Sequence, residues 1–208
     1  ASQEAIEQAV NYKAQALLVH HGYFWRNEPL VLTGMKGQRV RALMNHQMSL
    51  IAYHLPLDCH AEFGNNKALL DQLGLVGGQP IAEENGLLWS VPLRNAMTID
   101  QLALQVQSAL GRAPMVIESS RGSETLSRLV VCTGGAQDYL TKALYYGADV
   151  YLSGEISERT THEARELGVH YIAAGHHATE RYGIQALGQK LASTLGVDVA
   201  FFDDHNPA

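Results

Sequence analysis

Three stretches of this sequence set imidazoles beside carboxylates at the ends of apolar runs. His20 and His21 close the run that starts at Ala16, His54, Asp58 and His60 follow a second run, and His176, His177 and Glu180 lie in the string Gly175 to Glu180. Neighbouring strand residues point to opposite faces, so His20 and His21 serve one site only where the strand stops, and Gly22 stops it. Pro56 is expected to force an extended loop that presents His54, Asp58 and His60 along one edge. His176 and Glu180 are four residues apart on an opening helix, where one face can bind an ion with both. Imidazole and carboxylate without thiolate suit Zn, Fe, Mn or Co, and more than four such ligands point to two divalent ions bridged by a carboxylate and water.

A single histidine at a strand end is ordinarily a hydrogen-bonded structural residue. Here the ten histidines divide into five between His20 and His60 and five between His162 and His205, so the two ends of the chain are enriched alike. That parallel favours a shared site over scattered structural roles.

The elements that must position these residues alternate. A helix from Ser2 to Lys13 is capped by Ser2 and leads to a strand over Ala16 to His20. Val40, Leu43 and Met44 mark a second helix, Met48 to His54 a second strand, and Asn65 to Leu73 a further helix. Leu87 to Val91 is extended, Thr98 with Gln101 forms a capping box for a helix to Gly111, and Pro114 to Ile117 is a weaker strand. Then come strand Ser127 to Cys132, turn Thr133-Gly134-Gly135, helix Ala136 to Tyr146, strand Val150 to Ser153 and helix Glu158 to Leu167. Strand Val169 to Ala174, a helix from about Ala178 to Leu195, and a last strand Val197 to Phe202 complete the chain. The fold class is α/β, with mainly parallel sheets and helices on their faces.

An internal repeat organises this alternation. Laying the segment from Ser2 on that from Ala136 matches Gln3 with Gln137, Ala9 with Ala143, Tyr12 with Tyr146, Ala14 with Ala148 and Leu18 with Leu152. Ile51 and Ala52 likewise fall on Ile172 and Ala173, which sets His54 opposite Gly175. The expected division is a first lobe over 1–73, a connecting α/β segment over 74–126, and a second lobe over 127–208 related to the first. The helix from Ser2 has no strand before it, whereas its counterpart has one, so the first lobe is expected to lack its N-terminal strand and the chain to be part of a longer protein.

Composition narrows the function. Fifteen Lys and Arg against 21 Asp and Glu give a net charge of −6, with 46% hydrophobic residues. No basic run offers the positive patch that nucleic acid or an anionic membrane needs, so nucleic acid is not an expected partner. Apolar stretches fall far short of the roughly 20 residues that span a bilayer, and no signal peptide is expected. With only Cys59 and Cys132, no disulfide framework is indicated, and a cytoplasmic location is expected.

The strings VHHGYFW, YHLPLDCH, GNN, CTGG, SGEIS and AAGHHATE, spread from the first strand to Glu180, resemble the dinuclear-metal NIF-three-like family, whose members carry the name GTP cyclohydrolase 1 type 2 homologue. The likeness is closest to its short bacterial YbgI-type members and covers nearly the whole chain. It implies His20, His21, Asp58, His176 and Glu180 as ligands of two metal ions, with Glu180 bridging. It also implies related α/β lobes with the site between them, and a toroidal homohexamer. Glu180, His54 and His177 would take part in catalysis, the two histidines by orienting ligands, contacting substrate or moving protons; a plain structural hydrogen bond is the competing role for both histidines.

Lesser features admit two readings each. Thr133-Gly134-Gly135 is either a backbone cradle for a phosphate or a simple turn, and Glu155, opposite His21 in the repeat, is a remnant of a second site or a general base, against a solvated turn residue. Cys59 is read as packing. Tyr23, Phe24 and Trp25 wall a substrate pocket or form a subunit contact. The function expected is a metal-dependent hydrolase acting on a nucleotide-like or heterocyclic small molecule, GTP cyclohydrolase-like by resemblance. The alternative is a non-enzymatic metal-binding scaffold or metal-handling factor.

Overall fold

The computed structural model describes all 208 residues. Helix α1 (Gln3–Asn11) begins where Ser2 accepts a hydrogen bond from the Ala5 N–H, and Ile6 and Ala9 bury its inner face. Strand β1 (Ala16–Val19), helix α2 (Gly34–Asn45) and strand β2 (Ser49–Ala52) follow, and β1 pairs with β2 in parallel, Ala16 opposite Ser49. These two strands form a sheet of their own. Its core is small: Ile6, Ala9, Leu17, Val19, Leu43 and Met48 pack with Tyr23.

Helices α3 (Leu55–Asp58) and α4 (Asn65–Gln72) lead to strands β3 (Gln79–Pro80) and β4 (Trp89–Met97). Helix α5 (Ile99–Leu110) starts at the Thr98–Gln101 capping box and stops at Gly111, whose φ of 70° suits a glycine C-cap. Strands β5 (Met115–Ile117) and β6 (Leu126–Val131), helix α6 (Leu140–Tyr145), strand β7 (Val150–Ser153), helix α7 (Glu158–Leu167), strand β8 (His170–Ala173) and the 20-residue helix α8 (His176–Leu195) complete the order. Six of the strands join in one sheet in the order β3-β4-β6-β7-β8-β5.

The central strands alternate strictly between two apolar faces. Leu129, Val131, Val150, Leu152 and Ile172 face a core filled by Leu69 and Leu70 of α4 and Leu102 and Val106 of α5. Val130, Cys132, Tyr151, Tyr171 and Ala173 face the other core, closed by Leu140 and Ala143 of α6 and Ala164 of α7. Both faces are covered, which is why these strands read as continuous apolar runs.

Several sequence expectations change. The pairing is not mainly parallel: β1–β2, β6–β7 and β7–β8 are parallel, whereas β3–β4, β4–β6 and β5–β8 are antiparallel. The strands of 74–126 lie in the same sheet as β6, β7 and β8. His54 to His60 is not an extended loop, because Pro56 falls in the first turn of α3, where its missing N–H costs nothing and its fixed φ favours a helix. The helix expected from Ala136 opens as a 3-10 turn, Gln137–Tyr139, before α6.

Val197 to Phe202 forms no strand and pairs with neither sheet. Side chains hold it instead, with the Tyr12 hydroxyl donating to Asp198 at 2.7 Å and the Phe202 ring edge-on to Tyr12. No helix is long and apolar enough to cross a membrane, and Cys59 and Cys132 are both free thiols.

Candidate metal centre

Three chain segments bring the histidines and carboxylates together. His20 and His21 follow the last residue of β1, His54 precedes α3 and Asp58 ends it, and His176 and Glu180 occupy the first turns of α8. The helical turn of α3 draws Asp58 inward, so that Asp58, His20 and Glu180 are all buried.

Glu180 stands at the centre. Its Oε2 lies 2.9 Å from Nε2 of His176, 3.2 Å from Nε2 of His21 and 3.5 Å from Nε2 of His20. His20 Nε2 is also 3.4 Å from Oδ1 of Asp58. Three overlapping groups, His20 with His21 and His54, His21 with His176 and Glu180, and His20 with Asp58 and Glu180, each hold their ligand atoms within 4.8 Å of one another.

Partners behind the cluster orient the rings. Nδ1 of His20 is 2.9 Å from the Tyr53 carbonyl, which can only accept, so the proton sits there and Nε2 faces the cluster. Nδ1 of His176 is held in the same way by Oε1 of Glu155. Asn65 donates to Asp58 Oδ1 at 2.7 Å while its Oδ1 accepts the Gly183 N–H of α8. Asn66 donates to the Asp58 carbonyl and accepts from the Thr133 N–H, tying α3 to the end of β6.

Glycines make the room. A Cβ on Gly134 would overlap the Glu180 carboxylate, and one on Gly154 would meet the Gly134 carbonyl, His176 Cα and Thr179 Oγ1. The CTGG and SGE strings are therefore clearances for the first turn of α8. The turn at Thr133 to Gly135 is no phosphate cradle: the Gly134 N–H donates to Thr179 Oγ1, the Thr133 N–H donates to Asn66, and the Gly134 carbonyl accepts from Ala136, Gly154 and Glu155.

The charged groups of the site shift one another's protonation. Burial pushes the Glu180 carboxyl up, but His176 and His20 outweigh it and bring it down to about 2. The Glu180 carboxylate, with Glu155 behind it and burial opposing, draws His176 up to about 9. Burial lowers His21 to about 4, with His20 and His176 adding to the effect against Glu180. Burial raises Asp58 to about 6, opposed by His20 and by the Asn65 hydrogen bond. His176 Nε2 and Glu180 Oε2 are both buried and, although 2.9 Å apart, are not aligned as a hydrogen bond with each other or any other group. Two unsatisfied buried ligand atoms converging on one point fit a divalent cation.

A family model described as Duf34/NIF3 (NGG1p interacting factor 3) matches residues 1–207. The chain belongs to the DUF34/NIF3 family. It is 50% identical to a GTP cyclohydrolase 1 type 2 homolog of Allochromatium vinosum over all of this chain and 81% of that protein. The structure of protein ybgI, described as of unknown function, superposes with a TM-score of 0.94 at 42% identity, covering 100% of this chain and 82% of that one. TTHA1606 from Thermus thermophilus gives 0.89 at 31% identity, again over 100% and 82%.

Within this DUF34/NIF3 chain the remaining candidates separate. The His54 ring lies 5.0 Å from His20 and 5.2 Å from His21, with Trp25 perpendicular to it at 4.9 Å, so His54 borders the cluster. His177 is turned away: its Nε2 meets Asp203 Oδ1 at 3.1 Å. His60 is not gathered either, since its Nδ1 accepts the Glu62 and Phe63 N–H groups and its ring stacks on Phe63. Asn65, Asn66 and Gly183 have no role that sequence reasoning assigns; the GNN string is the signal for the two asparagines, visible as adjacent amides at the start of a helix, and Gly183 has none.

Proposed function

We propose that the chain holds two divalent metal ions through His20, His21, Asp58, His176 and Glu180, and that it is a hydrolase acting on a nucleotide-like or heterocyclic substrate. The observation that carries this reading is Glu180 Oε2, buried, without a hydrogen bond, and within 3.5 Å of three imidazole nitrogens. Two such ions, when bound, supply Lewis acidity and an activated water near neutral pH, which serves hydrolysis without a Ser or Cys nucleophile. The name carried by the relative from Allochromatium vinosum agrees with a cyclohydrolase-like substrate.

The protein's share of the work is positioning. Tyr53 and Glu155 fix the tautomers of His20 and His176, so both present Nε2 to the same point. Asn65 holds the Asp58 carboxylate in place. Burial, helped by the nearby His20, lowers the His54 pKa, which keeps its ring neutral at pH 7 and ready to accept a proton at the rim of the cluster. Glu180 and His54 are thus the residues proposed for catalysis; the pairing of His177 with Asp203 occupies its Nε2.

The reading extends to two related lobes with the centre between them, and to a ring-shaped homohexamer in the cytoplasm. The exposed apolar side chains Phe24, Leu30, Val31 and Met35, clustered in one loop and the start of α2, support self-association. Light scattering at micromolar concentration tests the hexamer, and a monomer would remove it. The hydrolase reading is tested by adding Mn, Fe, Zn and Co separately to chelator-stripped protein and assaying GTP and a metabolite panel. Ion-dependent turnover is expected. No ring-opened GTP under any of the four metals ends the cyclohydrolase reading, and no turnover of any substrate leaves the metal-binding scaffold in its place.

A further inference from the structure

We propose that Arg112 anchors the phosphate of a mononucleotide-sized substrate in the cleft beside His176, an inference that rests on the hydrolase reading of that site. The cleft has a volume of about 650 Å³ and is lined by Arg112, Pro114, Met115, Ile156, Glu155 and His176 among others. That size lies within the roughly 300 to 1,000 Å³ of small-molecule sites. His176 belongs both to the cleft wall and to the ligand cluster, so the cleft borders the cluster at that one residue.

Arg112 is the only Lys or Arg in the lining. Its guanidinium makes one hydrogen bond, from Nη1 to the Pro207 carbonyl at 2.7 Å, and forms no ion pair, which leaves most of its five donors for a ligand. The backbone is shaped around it: Gly175, just before His176, has a φ of 101°, and a Cβ there would overlap Arg112 Nη1. Glu155, the acidic side chain of the same wall, is engaged through Oε1 by His176 Nδ1, and Ala208, which also lines the cleft, offers its carbonyl to the His177 N–H. A planar fork with free donors matches phosphate oxygens in pairs, and Pro114, Met115 and Ile156 offer an apolar wall for a flat ring.

Calorimetric titration of zinc-loaded and metal-free protein with AMP, GMP and the two nucleosides tests the proposal. At least one mononucleotide is expected to bind more tightly than its nucleoside, and Arg112→Gln to weaken that mononucleotide at least about tenfold while leaving nucleoside affinity and zinc content unchanged. Arg112→Lys, which keeps the charge and a donor for Pro207, should recover part of the loss and guards against a folding defect. Mononucleotide affinity that is absent, no better than that of the nucleoside, or equal in Arg112→Gln would overturn the anchor. Arg112-dependent binding in a protein that takes up no zinc would sink the metal reading alone.

Discussion

Nδ1 of His176 lies 2.7 Å from Oε1 of Glu155, and this contact decides which ring nitrogen His176 turns to Glu180. The carboxylate accepts the Nδ1 proton, raises the basicity of the ring and points Nε2 at the cluster. Glu155→Ala should therefore weaken metal binding by about 10- to 100-fold, and Glu155→Gln, which keeps an acceptor, by less. Competition against a chromophoric chelator measures both, and unchanged affinity in the alanine variant would leave Glu155 a solvated turn residue.

Glu180 is expected to be shared between ions. Protein purified without chelator should carry more than one equivalent of metal, and Glu180→Ala should lose most of it. Full occupancy in that variant, read by elemental analysis, would dismiss the bridging role.

Gly134 has a φ of 70° and gives its Cβ space to the Glu180 carboxylate. Gly134→Ala should cost about 2 kcal/mol of stability, from the left-handed backbone and the displaced side chain together. Metal content should fall with it. A variant as stable as the parent by urea denaturation, with full metal content, would mean that the first turn of α8 yields more easily than its packing suggests.

Much of this site is legible in sequence because its chemistry and its local geometry coincide. The pairs His20 and His21, and His176 and Glu180, are short-range patterns anchored to a strand end and a helix start, although β1 ends at Val19 rather than His20 and α8 begins at His176 rather than near Ala178. Asp58 is reached for the wrong geometric reason: Pro56 reads as a breaker, yet in a first turn it is a starter. Antiparallel β4 and β5 escape because pairing direction depends on partners distant in sequence. Val197 to Phe202 has strand-like composition but pairs with no strand and is held by side chains such as Tyr12 instead. Asn65 is beyond reach for the same reason, since its value lies in touching Asp58 and Gly183 at once.

Asp149 supplies a pH signature remote from the ligands. Its Oδ2 accepts from the Ser127 N–H, the Ser127 hydroxyl and the Arg128 N–H at 2.7, 2.6 and 3.0 Å. Although burial acts to raise its pKa, these donors hold it below the ordinary 3.8. A depressed carboxyl stabilises the fold above its unfolded pKa and loses that contribution as pH falls through the folded value. Asp149→Asn should cost about 1 kcal/mol near neutrality, a figure reduced for solvent screening, and the difference from the parent should vanish in acid. Urea midpoints of both proteins across pH check it, and a gap that persists undiminished at low pH would contradict the assignment.

The small sheet of β1 and β2 has a further consequence. His20 and His21 hang from a two-stranded unit with a seven-residue core, whereas His176 and Glu180 are rooted beside a six-stranded sheet covered on both faces. Local opening should therefore begin in the smaller unit, and its amides should exchange with solvent sooner than those of Val130 or Leu152. An ion shared across the two would act as a rivet, slowing exchange in Leu17 to Val19 far more than in the large sheet. A bound ion would then lengthen the lifetime of this half of the molecule against proteases.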